Sequence, residues 1–185
     1  MKKILILAAV VMFCASASAQ VLKSSTMVVE RKQSHSRYQG ELNFGYGLGG
    51  KMSSNGMSVD AGYERVFVET VHGMRIMPYL FAGVGVGMHY GYNAETIAVP
   101  VFLDVKGYYP VTDKFAPYIA LDFGYSPMVS GDVDGGAYVS YGLGLNYGKL
   151  NFGLGWQYQG VHMDYSTVSY KASINSFFLK VGVKF

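Results

Sequence analysis

Alternation of side chains along this chain predicts an all-β fold, an eight-stranded antiparallel up-and-down transmembrane β-barrel. Three observations carry that reading. Apolar residues alternate with polar residues or glycine at a period of two in eight segments. The apolar faces of those segments carry no charge, and beyond residue 19 no apolar run is long enough for a membrane helix.

The last segment shows the pattern most clearly. Phe177, Leu179, Val181, Val183 and Phe185 fall on one face of a strand, and Ser176, Phe178, Lys180, Gly182 and Lys184 on the other. A soluble protein would bury the apolar face; a membrane barrel turns it toward lipid.

The amino-terminal end bears on that choice. Residues 1–19 open with Lys2 and Lys3, continue through the apolar stretch Ile4 to Phe13, and close with Ala15-Ser-Ala-Ser-Ala19. This order predicts a secretory signal peptide over 1–19, cut after Ala19 so that Gln20 becomes the first residue. Cys14, the lone cysteine, follows Val11-Met-Phe13 rather than a small residue, so it does not fit a lipoprotein cleavage site. Without Cys14 the mature chain has neither a disulfide nor a thiol nucleophile.

Removing Lys2 and Lys3 leaves the mature chain nearly neutral, with its Lys and Arg scattered rather than striped, so no nucleic-acid footprint is expected. Residues 20–37, with Lys23, Arg31, Lys32 and Arg37, read as a polar amino-terminal segment, and 38–185 as the barrel. Only 15% of residues are charged while 24 are glycine and 16 tyrosine, which with 50% hydrophobic content and no membrane helix leaves strands.

The segments follow in order. In the first, Leu42, Phe44, Tyr46 and Leu48 oppose Glu41, Asn43, Gly45 and Gly47. The second sets Met57, Val59, Ala61 and Tyr63 against Asp60, Gly62 and Glu64, and its phase blurs at Arg65–Val68. The third, opened by Pro78, places Leu80 to Tyr90 at even positions outward, with Tyr79, Phe81, Gly83, Gly85, Gly87 and His89 inward. The fourth opposes Ile97, Val99, Val101, Leu103 and Val105 to Ala98, Pro100, Phe102, Asp104 and Lys106. In the fifth, Ile119, Leu121, Phe123 and Tyr125 oppose Tyr118, Ala120, Asp122 and Gly124. The sixth turns Ala137 to Tyr147 outward at odd positions against Tyr138, Ser140, Gly142, Gly144 and Asn146. The seventh sets Leu150, Phe152, Leu154, Trp156 and Tyr158 against Asn151, Gly153, Gly155, Gln157 and Gln159.

Across the eight, Glu41, Asp60, Glu64, Asp104, Lys106, Asp122, Lys180 and Lys184 all take the inner face. Lipid demands this, since a Lys or Arg facing it at the midplane costs about 2–4 kcal/mol. Two residues break the pattern. Pro100 cannot donate to the ladder and predicts a bulge or a strand start. Arg65 falls in the outward phase, which predicts a bulge or a side chain snorkelling at the periplasmic interface.

The connections alternate in character. Gly148-Lys149 reads as a tight hairpin and Tyr109 to Lys114 as a compact turn, both periplasmic, with 69–77 as a longer periplasmic connection. Residues 49–55, 91–96, 126–136 and 160–173 read as short outer loops. Closure would pair the last strand with the first and bring Lys180 and Lys184 near Glu41, with Glu64 next across. Inward glycines such as Gly83, Gly142, Gly144 and Gly153 make room for inward Phe81, Phe102, Tyr118, Tyr138 and Phe178, the filling of a narrow barrel.

Candidate chemistry is thin. His89 near the outer end of strand three, and His162 with Asp164 and Ser166 in the last outer loop, are residue types of a hydrolase, but no spacing fixes a triad. Asp132-Val-Asp134-Gly-Gly136 lacks the later ligands of a calcium loop and reads as a turn. Gly83-Val-Gly-Val-Gly87 lies within a strand and opens no helix, so it is no phosphate loop. No catalytic, cofactor-binding or metal-ligating residue is assigned.

Tyr38-Gln-Gly-Glu-Leu-Asn-Phe-Gly-Tyr-Gly47, Met77-Pro-Tyr-Leu-Phe-Ala-Gly-Val-Gly-Val-Gly87, Val99-Pro-Val-Phe-Leu-Asp-Val105 and Ala116-Pro-Tyr-Ile-Ala-Leu-Asp-Phe-Gly-Tyr125 resemble the small outer-membrane β-barrel domain family of Gram-negative bacteria, similar in architecture to OmpA/OmpX-like proteins. The resemblance covers Tyr38 to Phe185. It implies residence in the outer membrane, lipid as the surrounding partner, and Phe185 as part of the signal read by the barrel-assembly machinery. The expected role is a structural or interaction component without catalysis, acting as a monomer. A small-solute pore and a rim enzyme acting on lipid are the rival functions, and a lipocalin-like soluble barrel the rival fold.

Overall fold

A computed structural model of the chain describes residues 37–54, 57–60, 64–92, 96–112, 114–129, 134–165 and 168–185. The expected signal peptide and all of the polar segment except Arg37 lie outside these residues; Arg37 opens the first strand rather than preceding it.

Ten strands are described: β1 Arg37–Ser54, β2 Met57–Asp60, β3 Arg65–Met77, β4 Leu80–Gly91, β5 Thr96–Ala98, β6 Val101–Tyr108, β7 Phe115–Ser126, β8 Asp134–Tyr147, β9 Leu150–Tyr165 and β10 Val168–Lys184. All pair antiparallel with their neighbours, and β10 returns to β1, closing the sheet. Because β2 pairs only with the far end of β1, and β5 and β6 share the same neighbour β4, the ten strands make eight staves. Closure removes the hydrogen-bonding edges within the membrane, where an unpaired backbone group costs several kcal/mol.

The alternation read from sequence sorts the two faces. Val84, Leu103, Leu121, Leu143, Leu154 and Val181 are exposed on the outer wall, while Glu41, Asp104, Lys106 and Asp122 are no more than 2% exposed inside. Tyrosines mark both ends of the wall: Tyr38, Tyr79, Tyr109 and Tyr147 at the end with the tight turns, Tyr90, Tyr92, Tyr125 and Tyr158 at the other. A soluble lipocalin-like arrangement would invert these faces.

The ladder breaks at Val99–Pro100, as the proline predicts; Pro100 donates nothing, but its carbonyl accepts from Gly87 N at 2.9 Å. The Gly148-Lys149 hairpin forms with Gly148 at φ 59°, a left-handed conformation that glycine adopts without strain.

The second stave corrects the sequence reading. Residues 69–77 are not a periplasmic connection but the body of spanning strand β3, paired with β1 from Arg37↔Arg75 to Gly47↔Arg65. The chain reverses at Pro78-Tyr79, so Tyr79 is exposed in a turn rather than inward. The outer connections differ too. Residues 49–54 continue β1 into a hairpin with β2, and 160–173 are strand on both sides of the β9–β10 reversal rather than loop.

Candidate functional site in the barrel lumen

The inner face of the sheet carries four layers of polar side chains, taken from the end with the tight turns, read from sequence as periplasmic, toward the other, outer end. In the first, Lys106 Nζ of β6 donates to Glu41 Oε2 of β1 at 2.5 Å and meets Asp104 Oδ2 at 2.7 Å. Glu41 Oε1 accepts from Gln39 Nε2 at 2.7 Å, and the Tyr108 hydroxyl lies 3.4 Å away. Beside this layer, the buried amides of Asn43 and Asn151 crowd over Gly182 and find no protein hydrogen-bond partner among the described residues.

Next comes Lys180 of β10, 3.9 Å from Glu69 Oε2 of β3 and 3.9 Å from Asp122 Oδ2 of β7. Asp122 is the direct cross-strand partner of Asp104, so the first two layers are joined through neighbouring carboxylates. Glu69 also enters the third layer: its Oε1 lies 3.1 Å from His89 Nε2 and accepts from the Tyr138 hydroxyl at 3.2 Å. Gln157 Nε2 is 3.4 Å from His89 Nδ1. At the outer end, Arg65 donates to Gln159 Oε1 at 3.2 Å and to Ser176 Oγ, while Gln159 Nε2 donates to Ser126 Oγ at 3.2 Å.

Aromatic rings fill the space between the charges. Phe81, Phe102, Tyr108, Tyr118 and Tyr138 form one buried cluster with Val71. Phe102 and Tyr138 sit 5.3 Å apart, Tyr108 and Tyr118 5.5 Å, and Lys106 Nζ lies 5.2 Å over the Phe81 ring. Close glycines make this possible: a Cβ on Gly144 would strike the Tyr118 ring, and one on Gly85 the Phe102 ring. Burying an ion still costs several kcal/mol after relaxation, so each charge here depends on its cross-lumen partner.

Several expectations are corrected by this geometry. Lys180 finds Glu69 and Asp122, not Glu41, whose partner is Lys106. Lys184 is the cross-strand neighbour of Glu41 but forms no ion pair with it; its ammonium lies 5.9 Å from the Tyr108 ring. Glu64 is exposed and accepts from Tyr46 Oη at 2.7 Å, well away from Glu41. Arg65 neither faces lipid nor snorkels: it is fully buried in the lumen at the outer end. Glu69, which joins two layers, went unrecognised because its strand reads as a connection; its signal is the alternation Val66, Val68, Thr70 against Phe67, Glu69, Val71.

His89 lies inward near the outer end, as read from sequence, and its side chain meets Glu69, Gln157 and the rings of Phe67 and Tyr138. No serine hydroxyl hydrogen-bonds to it among the described residues. His162 and Asp164 lie on β9, but their side chains, and Ser166 altogether, fall outside what is described. So does Asp132, whereas Asp134 opens β8.

A closed eight-stave sheet with charge inside, an apolar wall outside and tyrosine at both rims is the architecture of a small outer-membrane β-barrel, and this chain has that fold. Solved structures include similar chains. The outer-membrane enzyme PagL is similar at 12% identity and TM-score 0.51, covering 76% of this chain and 97% of that one. Neisserial surface protein A is similar at 14% identity and TM-score 0.48, over 81% and 99% of the two chains. The outer-membrane protein AlkL aligns at 13% identity and TM-score 0.47, over 88% and 96%. No family model and no curated protein matches the sequence.

Proposed function

We propose that this barrel is a non-conducting, non-catalytic component of the outer membrane that serves as an anchor and presents an interaction surface at its outer end. The observation carrying this reading is the filled lumen: an aromatic cluster of Phe81, Phe102, Tyr118 and Tyr138 interleaved with paired charges. Eight strands enclose a space that side chains can fill, whereas aqueous channels of the porin type need about 16–18 strands.

The outer end supports the second half of the proposal. A tilted transmembrane strand needs about 9–11 residues, yet β1, β9 and β10 run for 18, 16 and 17. These strands are neighbours, and the pairings Ser53↔Ser173, Tyr170↔Met163 and Met52↔Val59 continue the sheet β2-β1-β10-β9 past the membrane. One side of the barrel therefore carries a raised sheet. On the other side, β4 and β7 have 12 residues each.

Similarity to PagL, named as an enzyme, raises a catalytic alternative. Against it, His89 is sealed in the lumen, and among the described residues its side-chain hydrogen-bond partners are Glu69 and Gln157 rather than a serine or threonine. Planar-bilayer recording tests the main reading. Purified protein should insert without stable single-channel steps; steady conductance in most insertions, abolished by Gly142→Trp, would establish a pore instead.

A further inference from the structure

One carboxylate stands outside the lumen network. Glu64 is exposed at the outer end of the second stave, and none of the ion pairs among the described residues includes it. Its described side-chain partner is a phenol: Tyr46 Oη donates to Glu64 Oε2 at 2.7 Å.

The register gathers tyrosine around this carboxylate. Val66 of β3 pairs with Tyr46 of β1 on one side and with Tyr90 of β4 on the other, so the three share one row of the outer face. Neighbouring strands lie about 4.8 Å apart, which sets the two tyrosine backbones roughly 10 Å apart with Val66 as the floor between them. One step further out, Tyr92 N donates to Glu64 O at 3.0 Å, which makes Tyr92 the cross-strand neighbour of Glu64. The Tyr90 and Tyr92 rings meet edge to face, 5.5 Å apart at 83°. Leu48 and Val66 expose apolar surface in the same patch.

Each part of this patch selects the same charge. The face of a tyrosine ring is the negative side of its quadrupole and attracts a cation, and the carboxylate adds a full negative charge beside it. Anchoring at the headgroup level accounts for single tyrosines around the rim, but not for a carboxylate placed among three of them on adjoining staves.

We propose that Tyr46, Glu64, Tyr90 and Tyr92 form a binding site for an alkylammonium group. Glu64 and the rings hold the ammonium, and the adjoining methylenes lie on Val66 and Leu48. A lipid ethanolamine headgroup and a soluble amine both carry that group. The site rests on the register of β1, β3 and β4, and not on the raised sheet as an interaction surface.

The test uses the full mature chain with ring-labelled tyrosine, folded in an uncharged maltoside detergent and followed by nuclear magnetic resonance. Titration with n-butylammonium chloride should move the Tyr46, Tyr90 and Tyr92 ring signals saturably; butanol should not. Glu64→Gln should raise the half-saturation concentration about fivefold, as loss of an exposed charge pair predicts. Tyr92→Leu should raise it about threefold through the lost cation–π contact, while Tyr158→Leu, at the rim of β9, should leave it unchanged. Migration of unheated protein in gels checks that each variant is folded, and if Glu64→Gln misassembles, Tyr92→Leu carries the test. Nanodiscs of phosphatidylethanolamine or of phosphatidylglycerol tell the sources apart. Bound ring positions in the first and free positions in the second assign the site to a lipid headgroup; free positions in both, with butylammonium still binding, assign it to a soluble amine. No saturable shift, equal shifts with butanol, or a titration unchanged in the folded variants overturns the proposal.

Discussion

Lys106 and Lys180 are both buried in the lumen and each faces two carboxylates, but their contacts differ: 2.5 and 2.7 Å for Lys106, 3.9 Å twice for Lys180. Coulomb attraction falls inversely with distance, so each Lys180 pair is about a third weaker at equal dielectric. Their carboxylates also differ in what else they hold. Among the described residues the side-chain partner of Asp104 is Lys106, whereas Glu69 is shared among Lys180, His89 and Tyr138. The difference teaches that the periplasmic layer depends on one cation, while the middle layer spreads its charge over a network.

Removing Lys106 should therefore have the largest effect. Lys106→Met leaves Glu41 and Asp104 as buried carboxylates without a cation, and unfolding free energy should fall by about 3–5 kcal/mol. Urea titration followed by Trp156 fluorescence and by migration of unheated protein in detergent gels measures it. Wild-type stability would mean that the lysine does not hold this layer together.

Lys180→Met should cost less, about 2 kcal/mol, because both carboxylates lose the ammonium but Glu69 keeps its contacts with His89 and Tyr138. The ranking matters more than either value. A loss at Lys180 equal to or above that at Lys106 would show that distance and partner count do not govern these clusters.

Little of this partnering could be read from the sequence, although most of the fold could. Alternation fixes which face a residue takes, and it placed Glu41, Asp104, Lys106, Asp122 and Lys180 inside correctly. It also showed the closing pair of strands, since the chain order leaves β10 next to β1. Partners across the lumen depend on how the strands tilt and stagger on closure, and no local pattern encodes that stagger. Hence Glu41 meets Lys106 from three strands away rather than its sheet neighbour Lys184. Stave two failed for another reason. Its inner face begins Arg65, Phe67, Glu69, Val71, a mixture of charge and apolar groups that blurs the period, and Pro78 reads as a strand opening when it makes a tight turn.

Tyr118 separates the two lysines: its ring is 6.0 Å from Lys106 Nζ, and its hydroxyl donates to Phe152 O at 3.3 Å. Gly144 gives it room. Gly144→Ala would press a methyl group against the ring and should cost about 1–2 kcal/mol through overpacking, read by the same titration. If the variant is as stable as wild type, the ring moves freely, and the two charge layers are not held apart by packing.

Tyr138→Phe should have the smallest effect and tests the network on the Lys180 side most narrowly. The substitution keeps the ring against Phe102 at 5.3 Å and against His89 at 5.9 Å, and removes only the hydroxyl that donates to Glu69 at 3.2 Å. Glu69 retains His89 on the same oxygen and Lys180 on the other. A single hydrogen bond to a carboxylate that keeps other partners should contribute about 1 kcal/mol. The same change made in Lys180→Met should cost more than in wild type, because Glu69 then depends on His89 alone. Additive losses in that double-variant cycle would mean the hydroxyl and the lysine act on Glu69 independently, and the middle layer would be a set of separate contacts rather than a network.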